Sequence, residues 1–246
     1  MNFICLLMFM IGCCLASFVN VVIYRLPRKI DFIKGRSFCP HCYHQLSAFD
    51  LIPIVSYVLL RGKCRYCHQN ISIRDTFVEM IGGLMSIFCW RYYGINLIMI
   101  FSLILFLLFI TISIIDLDMM IISDELILVC LLMALFSTII LNITFFDRTL
   151  GFFIISIPLI LINCIVTNSF GGGDIKLISV CGFMIGWKFI LVAMYIAILL
   201  AGIYSLYLMI FHKANKADHI AFGPYICIGV YIVYLFGDKI LFLICN

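Results

Sequence analysis

Charge is scarce in this chain. Asp, Glu, Lys and Arg make up 11% of its 246 residues, against 65% hydrophobic residues. An ordinary soluble domain is excluded, because so little polar surface cannot face water on all sides. No internal repeat and no low-complexity linker appears. No Ser-His or Cys-His pairing suited to nucleophilic catalysis is apparent either, since the five histidines lie in one polar loop or near His212 and His219, outside the apolar runs. Long apolar runs are present instead, and a bilayer asks for about 20 apolar residues per helical span.

Eight such runs can be read: Phe3 to Tyr24, Phe77 to Tyr92, Ile95 to Ile115, Leu126 to Ile143, Leu150 to Val166, Leu177 to Trp187, Phe189 to Phe211 and Phe222 to Cys245. The sixth is short, and Gly82-Gly83 interrupt the second. The expected fold is an all-α polytopic membrane protein of about eight transmembrane helices. Residues 1–24 form the first helix, 25–76 a small cytoplasmic insertion, and 77–246 a multi-helix membrane domain. No positive segment leads the first run and basic residues follow it, which reads as a retained helix rather than a cleaved signal.

Basic residues near membrane spans stay in the cytoplasm. With the N-terminus outside, the inner face receives Arg25, Arg28, Lys29, Lys34, Arg36, Arg61, Lys63, Arg65, Arg74, Lys176, Lys213 and Lys216. The outer face keeps only Arg91, Arg148, Lys188 and Lys239. A basic inner face suits anionic lipid headgroups and needs no nucleic acid as partner.

Within the polar insertion, Cys39-Pro40-His41-Cys42 is followed after about 20 residues by Cys64-Arg65-Tyr66-Cys67, the two-knuckle spacing of a zinc ribbon. Four thiolates close a tetrahedron around one structural Zn²⁺. A segment this small has little core of its own, so the metal contributes much of the folding energy. Disulfides or a dithiol redox pair are the alternatives, and a cytoplasmic placement disfavours disulfides.

Acidic residues collect at two apolar boundaries: Asp116, Asp118, Asp124 and Glu125 after the third run, and Asp174 after Gly171-Gly172-Gly173 and before Lys176. A charge in a membrane costs about 2.5 to 3.5 kcal/mol on insertion scales, so its retention points to function. On a continuing helix Asp116 and Asp118 lie about 200° apart, and Asp116 is the deeper. Asp118, Asp124 and Glu125 read equally as a solvated helix end, with Ser123 or Asp124 capping the next helix, and Asp174 reads equally as the N-cap of a helix beginning near Ile175. The three glycines favour a loop built for close approach. Two carboxylates facing each other across a water share a proton. The ionised one can then take a proton from water as the other donates to a carbonyl oxygen.

Several segments together resemble the type IV prepilin peptidases, membrane enzymes that also N-methylate their product and belong with the G-x-G-D aspartic membrane proteases. The resemblance rests on Gly12 with Ser17-Phe18-Val19-Asn20-Val21-Val22-Ile23-Tyr24-Arg25-Leu26-Pro27, the Cys39 to Cys67 module with Ile52-Pro53 and Leu60-Arg61-Gly62-Lys63, Ile71-Ser72-Ile73-Arg74, Val78-Glu79, Ile115-Asp116-Leu117-Asp118, Gly171 to Lys176, and Phe222-Gly223-Pro224. It implies a catalytic pair at Asp116 and Asp174, supported by Gly171, Gly172, Gly173 and Lys176. It further implies prepilin or pseudopilin substrates cut after a leader Gly at the inner membrane boundary of a bacterial cell, and S-adenosylmethionine as methyl donor. Glu79 is the candidate contact for that donor or for the product amine, its alternative being a helix-start carboxylate.

The chain departs from the family pattern at Arg74-Asp75-Thr76, at Ser123 and at Ala16, which replaces the second family glycine. An ion-coupled transporter would need an acid at the midplane and repeated hydropathy. A zinc-organised scaffold would give no reason for the glycine run.

Overall fold

The computed structural model describes residues 2–31, 35–166, 170–211 and 220–245. Among them the only extended pairings are two isolated bridges, and the regular structure is helical. Ten α-helices follow in order: α1 (Asn2–Arg25), α2 (Val55–Leu59), α3 (Ile73–Tyr93), α4 (Leu97–Met119), α5 (Asp124–Ile140), α6 (Phe145–Ile154), α7 (Ser156–Ile165), α8 (Gly172–Ile185), α9 (Trp187–Phe211) and α10 (Gly223–Cys245). Among the described residues, five helical segments are long and apolar enough to cross a bilayer: Phe3–Arg28, Leu97–Met119, Phe145–Ile165, Trp187–Phe211 and Gly223–Leu243.

The other apolar runs are helical too, in α3, α5 and α8. At 17 and 14 residues, α5 and α8 are short for a span, and α3 carries Arg74, Asp75, Glu79 and Arg91. Gly82 and Gly83 do not interrupt α3, since tertiary packing outweighs their low helix propensity. The run from Leu150 to Val166 does break, at Ile155, because Pro158 has no N–H for the Ile154 carbonyl. Lys34, Lys213, Lys216, His212 and His219, weighed above, lie outside the described residues.

The chain divides into two units, Met1–Leu107 and Leu108–Asn246, with the boundary inside α4. In the first unit, α1 packs along α3 at van der Waals contact of the backbones. A Cβ on Gly12 would collide with the Gly82 carbonyl, and one on Gly83 would sit 2.6 Å from the Cys13 sulfur and the Phe9 ring. Ala16 is wholly buried here, its Cβ filling the space over Gly82, which is why alanine serves where the family has glycine. Asn20 ties the pair further by donating to the Asp75 carbonyl at 2.8 Å. That bond uses only the backbone of residue 75, so the departure at Asp75 leaves it intact. At the end of α1 the buried Arg25 donates to the carbonyls of Asp31 and Arg36, both at 3.0 Å, and its guanidinium lies over the Phe38 ring.

In the second unit α8 is the central element, packed against α5, α6, α7, α9 and α10 and buried along most of its length. Its contact with α6 is another glycine pair, Gly151 and Gly182, where a Cβ on either residue would strike the other's backbone. In α10, Gly229 gives the same close approach to Ala193 of α9.

Gly82→Leu should therefore push α1 off α3 and destabilise the first unit by about 3 kcal/mol or more, as overpacking does in dense cores. A thermal-unfolding midpoint in detergent equal to that of the parent protein would contradict this packing.

Candidate functional site

Within the second unit, α4 ends on the acidic cluster. Asp116 is 5% exposed, whereas Asp118, two residues on, faces outward. This is the opposition expected of positions about 200° apart on one helix. Met120 then takes a left-handed backbone with φ 54° and donates its N–H to the Asp116 carbonyl, turning the chain into the loop before α5.

The Asp116 carboxylate accepts the backbone N–H of Gly223 at 2.9 Å. Gly223 opens α10, so one of the free amides of a helix N-terminus points at the acid. Only glycine fits there, since a Cβ at that position would lie 2.7 Å from Asp116 Oδ2. Asp174 lies in the first turn of α8, whose N-cap is Gly171 rather than Asp174 itself. Asp174 is half-buried, and its Oδ1 is enclosed without a hydrogen-bond partner.

Ile122 joins the two acids' surroundings. A Cβ on Gly173 would lie 2.9 Å from Ile122 Cβ, and one on Gly223 would lie 3.3 Å from Ile122 Cδ1. The start of α8 and the start of α10 thus close on the same residue of the α4–α5 loop. Burial first, and the charge of Asp116 second, push the Asp174 carboxyl up to about 7. Two acids, from α4 and α8, therefore stand in one neighbourhood around Ile122, one held by an amide and one with an enclosed, unpartnered oxygen.

The remaining acids are placed differently. Asp124 is exposed and pairs with Lys176 at 2.6 Å, so this lysine links the first turns of α5 and α8. Ser123 is the N-cap of α5 by position, but its hydroxyl makes no capping bond and is buried without a partner. Of the three glycines, Gly171 faces the Asp174 carboxylate and Gly173 faces Ile122. Gly172 has open space where a side chain would stand.

Two functional placements were not read from the sequence. Gly223 was legible only as part of a motif, and its work as an amide donor depends on a residue 107 positions away. Asn163, a lone amide in an apolar run, donates to the Phe170 carbonyl and accepts the Phe170 N–H, each at 2.9 Å, which fixes the entry to the glycine turn.

The first unit holds the cysteine quartet. The four sulfurs lie within 4.8 Å of one another, and all four are free thiols. Each knuckle repeats one backbone pattern. The N–H of Cys39 reaches the His44 carbonyl and that of Tyr43 reaches Cys39; the N–H of Cys64 reaches Gln69 and that of His68 reaches Cys64. Tyr43 and His68 both adopt left-handed φ, 56° and 57°, and the bridges Phe38 to Gln45 and Lys63 to Asn70 close the two turns. A tetrahedral site with metal–sulfur bonds of about 2.3 Å has sulfur–sulfur edges of about 3.8 Å. The Cys39 and Cys67 sulfurs stand 3.9 Å apart, so the donors fit such an ion. Against the effect of burial, backbone amides of Cys42 and His41 hold the Cys39 thiol down to about 7, favouring the thiolate a metal needs.

Glu79, on α3, accepts the N–H of Ile54 at 2.9 Å and a bond from Ser17. Ile54 has φ 62°, a conformation unfavourable for a β-branched residue, so the carboxylate anchors a strained turn.

Two family models cover most of this architecture. The bacterial peptidase A24 N-terminal domain matches residues 10–93, and the type IV leader peptidase family matches residues 103–206, which include both Asp116 and Asp174. The chain belongs to the type IV leader peptidase family. Among curated relatives, the prepilin leader peptidase/N-methyltransferase of Bacillus subtilis (strain 168) is 28% identical over 96% of this chain and 95% of its own length. The protein of the same name from Legionella pneumophila is 27% identical over 92% and 88%, and that of Myxococcus xanthus (strain DK1622) is 39% identical over 45% and 33%. No solved structure matches significantly. In this leader peptidase family member the two model boundaries, 93 and 103, flank the start of α4, and the cysteine quartet lies wholly in the N-terminal match.

The grip of Asn163 on Phe170 predicts that Asn163→Ala speeds exchange of the Phe170 amide hydrogen by roughly tenfold, the loss of about one net hydrogen bond. Mass-spectrometric hydrogen exchange measures it.

Proposed function

We propose that this chain removes the leader from type IV prepilin-like proteins by an aspartic mechanism in which Asp116 and Asp174 form the dyad. The observation that carries the reading is the meeting around Ile122 of buried Asp116, satisfied by a backbone amide, and half-buried Asp174, whose Oδ1 is enclosed without a partner. The names of the full-length relatives support the substrate class.

Asp116 is the ionised member and Asp174 the protonated one, because burial beside another carboxylate favours the neutral acid at Asp174. Asp116 takes a proton from a water whose oxygen attacks the scissile carbonyl carbon, and Asp174 gives its proton to the carbonyl oxygen. Collapse of the tetrahedral adduct passes a proton from the dyad to the leaving amine and restores the starting charges. The Gly223 amide lowers the cost of the Asp116 charge, and the glycines at 171 and 173 let α8 come close enough for Asp174 to share the water.

The same reading puts about eight helical segments in a bacterial cytoplasmic membrane, with the N-terminus outside and the dyad and cysteine module on the basic inner face. Cys39, Cys42, Cys64 and Cys67 hold one structural Zn²⁺. The word N-methyltransferase in the relatives' names supports a second activity, for which S-adenosylmethionine would supply the methyl group to the new N-terminal amine. Glu79, already engaged by an amide and a hydroxyl, fits a joint between the cysteine module and α3 better than a donor contact.

Asp116→Asn and Asp174→Asn should each abolish leader removal from a co-expressed prepilin while the protein stays membrane-inserted, and Asp118→Asn should change the rate by less than about threefold. Processing at the parent rate in either of the first two would rule out the dyad. The kcat/KM profile should fall as pH rises through about 7, where Asp174 loses its proton. Purified protein should contain one zinc per chain by elemental analysis, and Cys39→Ser should lower that content and expose residues 35–72 to protease.

A further inference from the structure

Arg148 is the largest fully buried side chain of the described residues, 1% exposed, and it lies within an apolar segment. The basic-residue distribution assigned it only to the outer face; the structure buries it. It donates to the carbonyls of Ser137 and Leu141 at the end of α5, of Phe183 and Met184 at the end of α8, and of Ile143, and to the Ser137 hydroxyl. Every one of these partners is neutral. The last carbonyls of a helix lack partners within it and carry its negative end, so one guanidinium satisfies two helix C-termini together. A buried charge with no carboxylate is expensive, and an apolar side chain would often stabilise as well. Packing alone gives no reason to keep it.

Both helices capped by Arg148 begin at the candidate site. Asp174 stands in the first turn of α8, and Ser123 and Asp124 begin α5, directly after Ile122. Lys176 and Asp124 join the near ends, Arg148 joins the far ends, and the Ser137 hydroxyl also reaches the Met184 carbonyl. From Asp174 to Met184 the helix rises about 15 Å without a proline. One turn along α6 from Arg148, Gly151 meets Gly182 backbone to backbone, so α6 and α8 have little room to slide past each other.

We infer that Arg148 is a positioning residue for the peptidase site: by clamping the far ends of α5 and α8 in register it sets where Asp174 stands against Asp116. This rests on the dyad reading above. Misplacing a reacting group by about 1 Å from a distance can cost on the order of a hundredfold in rate.

The test uses full-length Arg148→Lys, which keeps the charge but not the planar fork, with purified prepilin as substrate and Asp174→Asn as control. Per folded molecule, kcat should fall on the order of a hundredfold while KM stays within about threefold. Amide exchange should rise over residues 172–176 and remain at the parent rate over residues 190–197 of α9. A kcat within about threefold of the parent, or unchanged exchange over 172–176, overturns the inference. Should Arg148→Lys fail to fold, Ser137→Ala decides: a kcat lowered about fivefold with faster exchange at the start of α8 supports the clamp, and unchanged values overturn it. An active Asp174→Asn control would instead strike the dyad itself, leaving the exchange data to judge the clamp.

Discussion

A carboxylate can be taken out of water only where something receives its charge, and the unit Leu108–Asn246 is arranged around that constraint. Asp116 is nearly inaccessible, and it is tolerated because α10 begins with an amide directed at it. That amide reaches the acid only because residue 223 has no side chain, and the start of α8 reaches the same neighbourhood only because residue 173 has none. Two helix starts and the end of a third thus meet around Ile122. At their meeting point the Asp174 Oδ1 is enclosed without a hydrogen-bond partner.

The same device, absence of a Cβ, recurs through both units at different scale. Gly12 with Gly82, and Gly151 with Gly182, bring helix backbones into contact where no hydrophobic driving force separates protein from lipid and close packing has to supply the association. The cysteine module solves a different problem. Residues 35–72 expose Phe49, Val58 and Leu59 and bury only Cys39, Pro53, Gly62 and Cys64, so four converging thiols take the place of a core. Arg65 on the second knuckle holds Asp50 at 2.8 Å, and the Ser47 hydroxyl donates to the same carboxylate, which ties the intervening turn to the module.

Legibility in the sequence followed the range of the interaction. The two knuckles were readable because a C-x-x-C turn is local and repeats itself. The opposition of Asp116 and Asp118 was readable because helical phase is local as well. The break at Ile155 was missed although Pro158 announces it, because the apolar run was counted as one length. Asp174 read as an N-cap, and the helix in fact starts earlier, at Gly172, because the glycines enter it rather than precede it. Arg148 read only as one of the outer-face charges, since nothing near it in sequence reveals that two helix ends would converge on it.

Composition and motif by themselves determined that this is a helical membrane chain and that four cysteines form one group. These are properties of periodicity, spacing and the cost of charge in hydrocarbon, and they need no partner to be legible. Only the tertiary structure decided that Gly223 serves Asp116, that Asn163 holds the turn before Gly171, and that Arg148 closes α5 and α8 at their far ends. Each of those depends on backbone groups 7 to 107 residues away, and a backbone amide or carbonyl carries no mark in the sequence of what it will meet.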